Sequence, residues 1–266
     1  MKMTHHAALL FCLGCLIIGI SSLASADESA PGAQLQEHEA IDSIASLKQL
    51  QLQNLYSGAY HNQQDKSGNS ILLRLLAPFR IGSREHLARA SLSFITKSPT
   101  GKSGLNDLVI FDLLIFHQSW GGWGVGPAVL IPTATDMKLG SEKWGMGPAL
   151  GFETHSGNLS WSIFSQSLVS FAGNDARKDV KNSALQPILS YPLSNGWSLG
   201  SSEMNFVYDW KKSDWIALPV GGKLAKMMKF DKQYLQFSGA YEYNLATHQT
   251  GPAWTANFTV KYLFPL

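Results

Sequence analysis

Six histidines lie beyond the first 26 residues, His38, His61, His86, His117, His155 and His248, and they are the first side chains to weigh as catalysts. A histidine can act as general base to a serine when it lies within hydrogen-bond reach and a third group orients it. Ser165, Ser167 and Ser170 are the candidate nucleophiles, but none stands in a recognisable pairing motif with a histidine. Most of the histidines fall at rims or in loops. Cys12 and Cys15 are the only cysteines, so disulfides, thiolate metal sites and cysteine catalysis are not expected of residues 27–266. Asp136, Asn174, Asp175, Arg177 and Asp179 form an acid-rich loop set that could hold a cation or bridge lipopolysaccharide phosphates. The stretch from Asp175 to Asp179 lacks the ligand spacing of a calcium loop, which favours a solvated loop. The expectation is a chain without catalytic residues, metal or cofactor.

The remaining charged residues are informative by position. The last segment places Trp254, Ala256, Phe258, Val260, Tyr262 and Phe264 on one parity and Ala253, Thr255, Asn257, Thr259 and Lys261 on the other. Successive side chains of a strand point to opposite faces, so this is a strand with one apolar and one polar face. Leu235, Phe237, Gly239, Tyr241 and Tyr243 alternate in the same way with Gln236, Ser238, Ala240, Glu242 and Asn244. Read likewise, the polar faces carry Gln51, Gln53, Arg74, Arg89, Asp112, Glu153, Gln186, Glu242 and Lys261. Glu203 and Asp209 share the more polar parity of a less regular strand. On a lipid face such charges would cost about 2–4 kcal/mol near the midplane, so they are expected to line an interior. Two readings follow from that lining. One is a lumen that passes small solutes; the other is a closed interior in which Arg74 or Arg89 pairs with Asp112, Glu153 or Glu242.

Twelve strands are predicted, at 49–60, 69–79, 86–96, 105–118, 122–132, 143–155, 159–171, 183–193, 197–210, 215–229, 233–246 and 253–264. Most reach the roughly 9–11 residues that a tilted strand needs to cross hydrocarbon. Connections after odd strands are long, as in Thr133–Glu142 and Ala172–Asn182, and those after even strands are mostly short, as in Ser119–Gly121. Trp123, Trp144, Trp197, Trp215, Trp254, Tyr262 and Phe264 sit near the ends of apolar faces, as interfacial girdles require. The fold expected is all-β, a transmembrane antiparallel up-and-down barrel over residues 49–266. Trp123-Gly-Val-Gly-Pro-Ala recurs as Trp144-Gly-Met-Gly-Pro-Ala. The inner-face glycines of this echo leave room for bulky neighbours or for lumen, and Pro127 and Pro148 are expected to mark bulges.

Residues 1–26 read as a secretory signal. Lys2, His5 and His6 precede an apolar run from Ala7 to Ile20, and a small-x-small pattern ends at Ala26. The run is too short to span a bilayer. Lipoprotein cleavage at Cys15 would halve it. Residues 27–48 carry Ile41, Ile44 and Leu47 at a spacing of three, which suggests a short periplasmic helix or plug, or a mobile leader. The chain has 21 basic and 19 acidic residues, so a nucleic-acid partner is not expected.

From Leu50 onward the chain resembles an outer-membrane barrel family named for the meta-cleavage pathway of phenol degradation, whose members are often labelled transporters. The resemblance is carried by Leu72-Leu-Arg-Leu-Leu-Ala-Pro78, Gly104-Leu-Asn-Asp-Leu108, Phe111-Asp-Leu-Leu114, Pro132-Thr-Ala-Thr-Asp136, Leu139-Gly-Ser-Glu-Lys-Trp-Gly-Met-Gly-Pro-Ala149, Gly196-Trp-Ser-Leu-Gly-Ser-Ser202 and Leu218-Pro-Val-Gly-Gly222. It implies an outer-membrane address and small hydrophobic or aromatic solutes, and it supplies no catalytic residues. The expected partners are outer-membrane lipid and lipopolysaccharide, and the barrel-assembly machinery through the aromatic C-terminal strand. The alternatives are a non-conducting structural or interaction barrel with partner-binding loops, and a lipid-modifying barrel enzyme.

Overall fold

The computed structural model describes residues 47–265. The expected signal peptide, and all of the 27–48 segment before Leu47, lie outside the described residues. Lys48 is already the first residue of β1. Fifteen strand segments follow: β1 Lys48–Tyr60, β2 Gly68–Ile81, β3 Arg84–Lys97, β4 Gly104–Leu105, β5 Leu108–Gln118, β6 Gly121–Ile131, β7 Lys143–Ser156, β8 Leu159–Gly173, β9 Lys181–Pro192, β10 Trp197–Ser201, β11 Phe206–Asp209, β12 Asp214–Ala217, β13 Pro219–Phe230, β14 Gln233–Asn244 and β15 Pro252–Phe264. Three of the expected twelve strands are interrupted, which yields β4 with β5, β10 with β11, and β12 with β13. Every pairing is antiparallel, and β15 pairs with β1 from Lys48↔Phe264 to Tyr60↔Pro252. The sheet is thereby closed into a twelve-strand barrel.

The outward face is apolar. Leu50, Leu52, Leu73, Leu75, Val125, Met146, Leu150, Leu199, Leu224 and Phe258 are all exposed on it. Aromatic pairs mark its two edges. At the short-turn end Phe116 stacks on Trp123 (4.3 Å between centroids), Trp120 on Phe152 (5.3 Å) and Tyr262 on Phe264 (5.2 Å). At the long-loop end Trp254 lies 5.8 Å from both Tyr56 and Tyr241. An apolar band between aromatic girdles is the surface that a bilayer solvates.

The tandem echo folds into neighbouring strands, with Pro127 of β6 opposite Pro148 of β7. No bulge occurs at either proline, contrary to the sequence expectation. Pairing on the far side lapses between Phe111↔Ala128 and Leu114↔Val125, and again between Met146↔Val169 and Ala149↔Gln166, with the register kept in both cases. Each proline lacks an N–H to give to the outer neighbour. The adjacent glycine instead lets the backbones come close. A Cβ at Gly126 would run into the Asp112 carbonyl, and one at Gly147 into that of Ser167.

A true register change sits elsewhere. β9 pairs with β10 through Gly200↔Ser190 and with β11 through Phe206↔Leu185, so one extra residue is accommodated between them. Because side chains alternate with period two, this slip exchanges the faces. Trp197 and Leu199 point outward before the break, and Phe206 and Tyr208 after it. Ser201 Oγ accepts a bond from the Leu189 N–H (2.9 Å), repairing the ladder at the gap. The gap Ser202–Asn205 leaves the wall, with Met204 at a φ of 39°.

Candidate functional site: the barrel interior

Two halves of unlike chemistry make up the interior. Under β5 to β8 lies an apolar cluster of Phe111, Leu113, Ala128, Leu130, Ala149 and Leu168, with Leu87, Ile115 and Phe164 packed against it. From Gly122 to Ala128 of β6 and from Gly145 to Gly151 of β7 the inward positions are glycine or alanine. Phe111 and Phe164, three strands apart, therefore meet above them with centroids 4.6 Å apart. The glycines of the echo thus make room for bulky neighbours, one of the two uses expected of them.

The other half is polar. Gln51 and Gln53 of β1 are 2 % and 1 % exposed, and Gln51 Nε2 donates to Gln53 Oε1 (3.3 Å) and to Glu203 Oε1 (3.2 Å). Glu203 belongs to the Ser202–Asn205 break, and Arg74 to β2, five strands away round the twelve-strand barrel and one short of opposite. Arg74 Nη1 nonetheless donates to both carboxylate oxygens of Glu203, at 2.7 and 2.6 Å. The break is therefore a strap across the lumen. The pair is only partly solvent-exposed, so removing one partner would leave a poorly hydrated charge, at a cost of about 3–5 kcal/mol.

Around the strap stand Arg89 of β3, Lys223 of β13, Glu242 of β14 and Lys261 of β15. All lie within electrostatic reach of Glu203. The Arg89 guanidinium rests 4.5 Å from the Phe111 ring and 4.6 Å from Phe164, a cation–π contact of about 0.5–2 kcal/mol. Its Nε has no hydrogen-bond partner. Among the described residues, no carboxylate lies within ion-pair distance of Arg89, Lys223 or Lys261. Arg74, Arg89, Glu242 and Lys261 are thus brought together as the alternation suggested, and Glu203 joins them through the break. Gln186 faces inward beside Phe164, across the β8–β9 pair. Glu153 also faces inward, beside Gly122 near the short-turn mouth and away from the strap.

Two placements differ from expectation. Asp112 shares the outward face with Ile110 and Leu114, because Phe111, Leu113 and Ile115 take the inward positions; its Oδ2 meets His86 Nδ1 at 3.0 Å on the outer wall. Asp209 keeps the inward parity, opposite Asn182, but stands at the end of β11, where it caps a turn by accepting from the N–H groups of Lys211 (2.9 Å) and Lys212 (3.1 Å). Lys223 was missed by the sequence reading. Lys223, Lys226 and Lys229 recur every third residue, a spacing that fits neither face, although Val220, Leu224 and Met228 already marked the outward parity.

At the long-loop end the acidic residues are engaged in ion pairs. Asp179 meets Lys211 (2.6 Å) and Lys143 (3.3 Å), Asp136 meets Lys102 (3.0 Å), and Glu142 meets Arg177 (3.5 Å). Arg177 Nη2 also donates to the carbonyls of Met137 and Gly140. The lysines beside Asp179 hold its carboxyl below the usual range; the Lys138 N–H, then Lys102, do so for Asp136. Among the described residues no histidine bonds to Ser165, Ser167 or Ser170; His61 bonds to the Asn244 carbonyl, His117 to Glu85 and His248 to Asp214.

Solved structures with a similar fold include an outer-membrane channel from Pseudomonas putida F1. It is 15 % identical, with 82 % of this chain and 94 % of that chain covered at a TM-score of 0.59. The KdgM porin (8 % identity, 82 % and 99 % covered, TM-score 0.44) and the outer membrane phospholipase A of Escherichia coli (10 %, 82 % and 89 %, 0.42) align more loosely. No protein-family profile matches the chain, and no curated protein does. At such identities the likeness is one of fold.

Proposed function

We propose that this protein is an outer-membrane channel that passes small solutes through a narrow interior, constricted where the 202–205 strap crosses from the wall to Arg74. The observation that carries this reading is the set of interior cations without carboxylate partners among the described residues, Arg89, Lys223 and Lys261. A sealed interior would have to hold them desolvated and unpaired, which costs several kcal/mol per ion. A hydrated passage does not. The deep burial of Gln51 and Gln53 beside the strap supports a small bore rather than a wide pore.

The solute class is less constrained. The apolar cluster under β5 to β8 offers a surface along which a hydrophobic or aromatic solute could slide, and the family resemblance points to such solutes. The test is conductance of the purified, refolded protein in planar bilayers. Small discrete steps are expected. Variant Arg74→Gln should release the strap and raise the step size severalfold. A heat-modifiable, folded barrel that stays electrically silent in both forms overturns the reading.

A further inference from the structure

Among the described residues, four cationic side chains, Arg74, Arg89, Lys223 and Lys261, surround the strap, against two carboxylates, Glu203 and Glu242. The excess is built from four separate strands. Arg74 binds Glu203 through Nη1, and its Nε is buried without a partner among the described residues, as is that of Arg89. The fork-on-fork pairing that uses two guanidinium nitrogens is therefore not made with Glu203. Glu203 hangs from the 202–205 break, which is tied to β13 by the Ser202 N–H on the Gly221 carbonyl (3.0 Å), and its carboxylate is held by Arg74 and Gln51. It is a counter-ion carried outside the regular ladder. Beside it, the Phe111 and Phe164 rings cover the Arg89 guanidinium, which has no carboxylate within ion-pair distance among the described residues.

We propose that this cluster is a binding site for small carboxylate solutes within the passage, with Glu203 occupying Arg74 until the carboxylate of a solute replaces it. The inference rests on the hydrated interior of the channel reading and adds to it the charge class of the solute. An anion entering the cluster meets cations on β3, β13 and β15 that have no carboxylate partner among the described residues, then exchanges with Glu203 at Arg74, which frees the strap. A cation meets like charge at the same place.

The test is a 19F NMR titration of the full-length mature protein, refolded in a non-ionic detergent, with trifluoroacetate as the probe and trifluoroethanol as its neutral match. Saturable line broadening is expected with trifluoroacetate and none with trifluoroethanol. Glu203→Gln, which removes the internal competitor, should tighten binding by roughly five- to tenfold. Lys223→Gln with Lys261→Gln should weaken it by at least about tenfold. Heat-modifiability on gels verifies that each variant is folded; if the double variant is not, Glu203→Gln alone decides. Absence of saturable broadening in the wild type, equal broadening by the alcohol, or an unchanged affinity in folded Glu203→Gln overturns the proposal. Bilayer recordings on the same preparation separate the two claims. A silent barrel that binds trifluoroacetate overturns conduction alone, and a conducting barrel blind to it overturns the carboxylate site alone.

Discussion

Gly126 and Gly147 are the residues on which the wall most visibly depends, because each faces a neighbouring backbone carbonyl where a Cβ would stand. Neither carbonyl can retreat without breaking the ladder around it. Valine at either position is therefore expected to cost more than about 4 kcal/mol or to abolish folding, read as loss of the heat-modifiable band. The same substitution at Gly239, which meets nothing within 4 Å on the outer face, should be tolerated. Asp112 makes a second residue-scale case. Its carboxylate and His86 sit on the lipid side, where charge is costly, so Asp112→Leu should leave conductance unchanged and stability equal or higher. A large change in conductance would mean that Asp112 faces the passage. The polarity of Asp112 misled the sequence reading because Val109 to Ile115 is otherwise apolar on both parities. An interior lined by Phe111 and Leu113 gives no alternation from which to choose a face.

Strands with a wet inner face were legible almost residue by residue. β1, β14 and β15 lie within about two residues of the boundaries expected from alternation. Their charged neighbours Glu242 and Lys261 point where parity said they would. What alternation cannot show is a change of phase. The slip between β10 and β11 swaps faces within one apparent strand, and Glu203 is turned inward by the break rather than by its parity. Leu218 interrupts β12 and β13 in turn, its N–H taken by Asn244 Oδ1 (2.8 Å), a partner 26 residues away that no local pattern reveals. The long loops make their own prediction. Asp136 and Asp179 have carboxyls held below the unfolded value, so their ties are fully present above the ordinary carboxylate pKa. They weaken only as the pH falls through the depressed folded values. A spin label at Met137 should be equally ordered at pH 9 and pH 6, and should gain mobility only in acid below the ordinary carboxylate range. Mobility that rises instead on the alkaline side would assign the ordering to other groups.

At the scale of the whole molecule, one geometric condition organises everything else: a closed sheet whose outer residues are solvated by hydrocarbon and whose inner residues enclose a divided, half-charged interior. The strap, the unpaired cations and the apolar cluster acquire their meaning only inside such a wall. Residues 27–266 contain no cysteine, so single cysteines can be placed along β15 and spin-labelled without background. The most direct measurement is the accessibility of labels at successive positions from 254 to 261, in liposomes, to molecular oxygen and to a water-soluble nickel chelate. Collision with oxygen should peak at positions 254, 256, 258 and 260 and fall at 255, 257, 259 and 261, with the chelate excluded from the first set. Chelate access to both sets, or an oxygen profile without a period of two, would contradict the account.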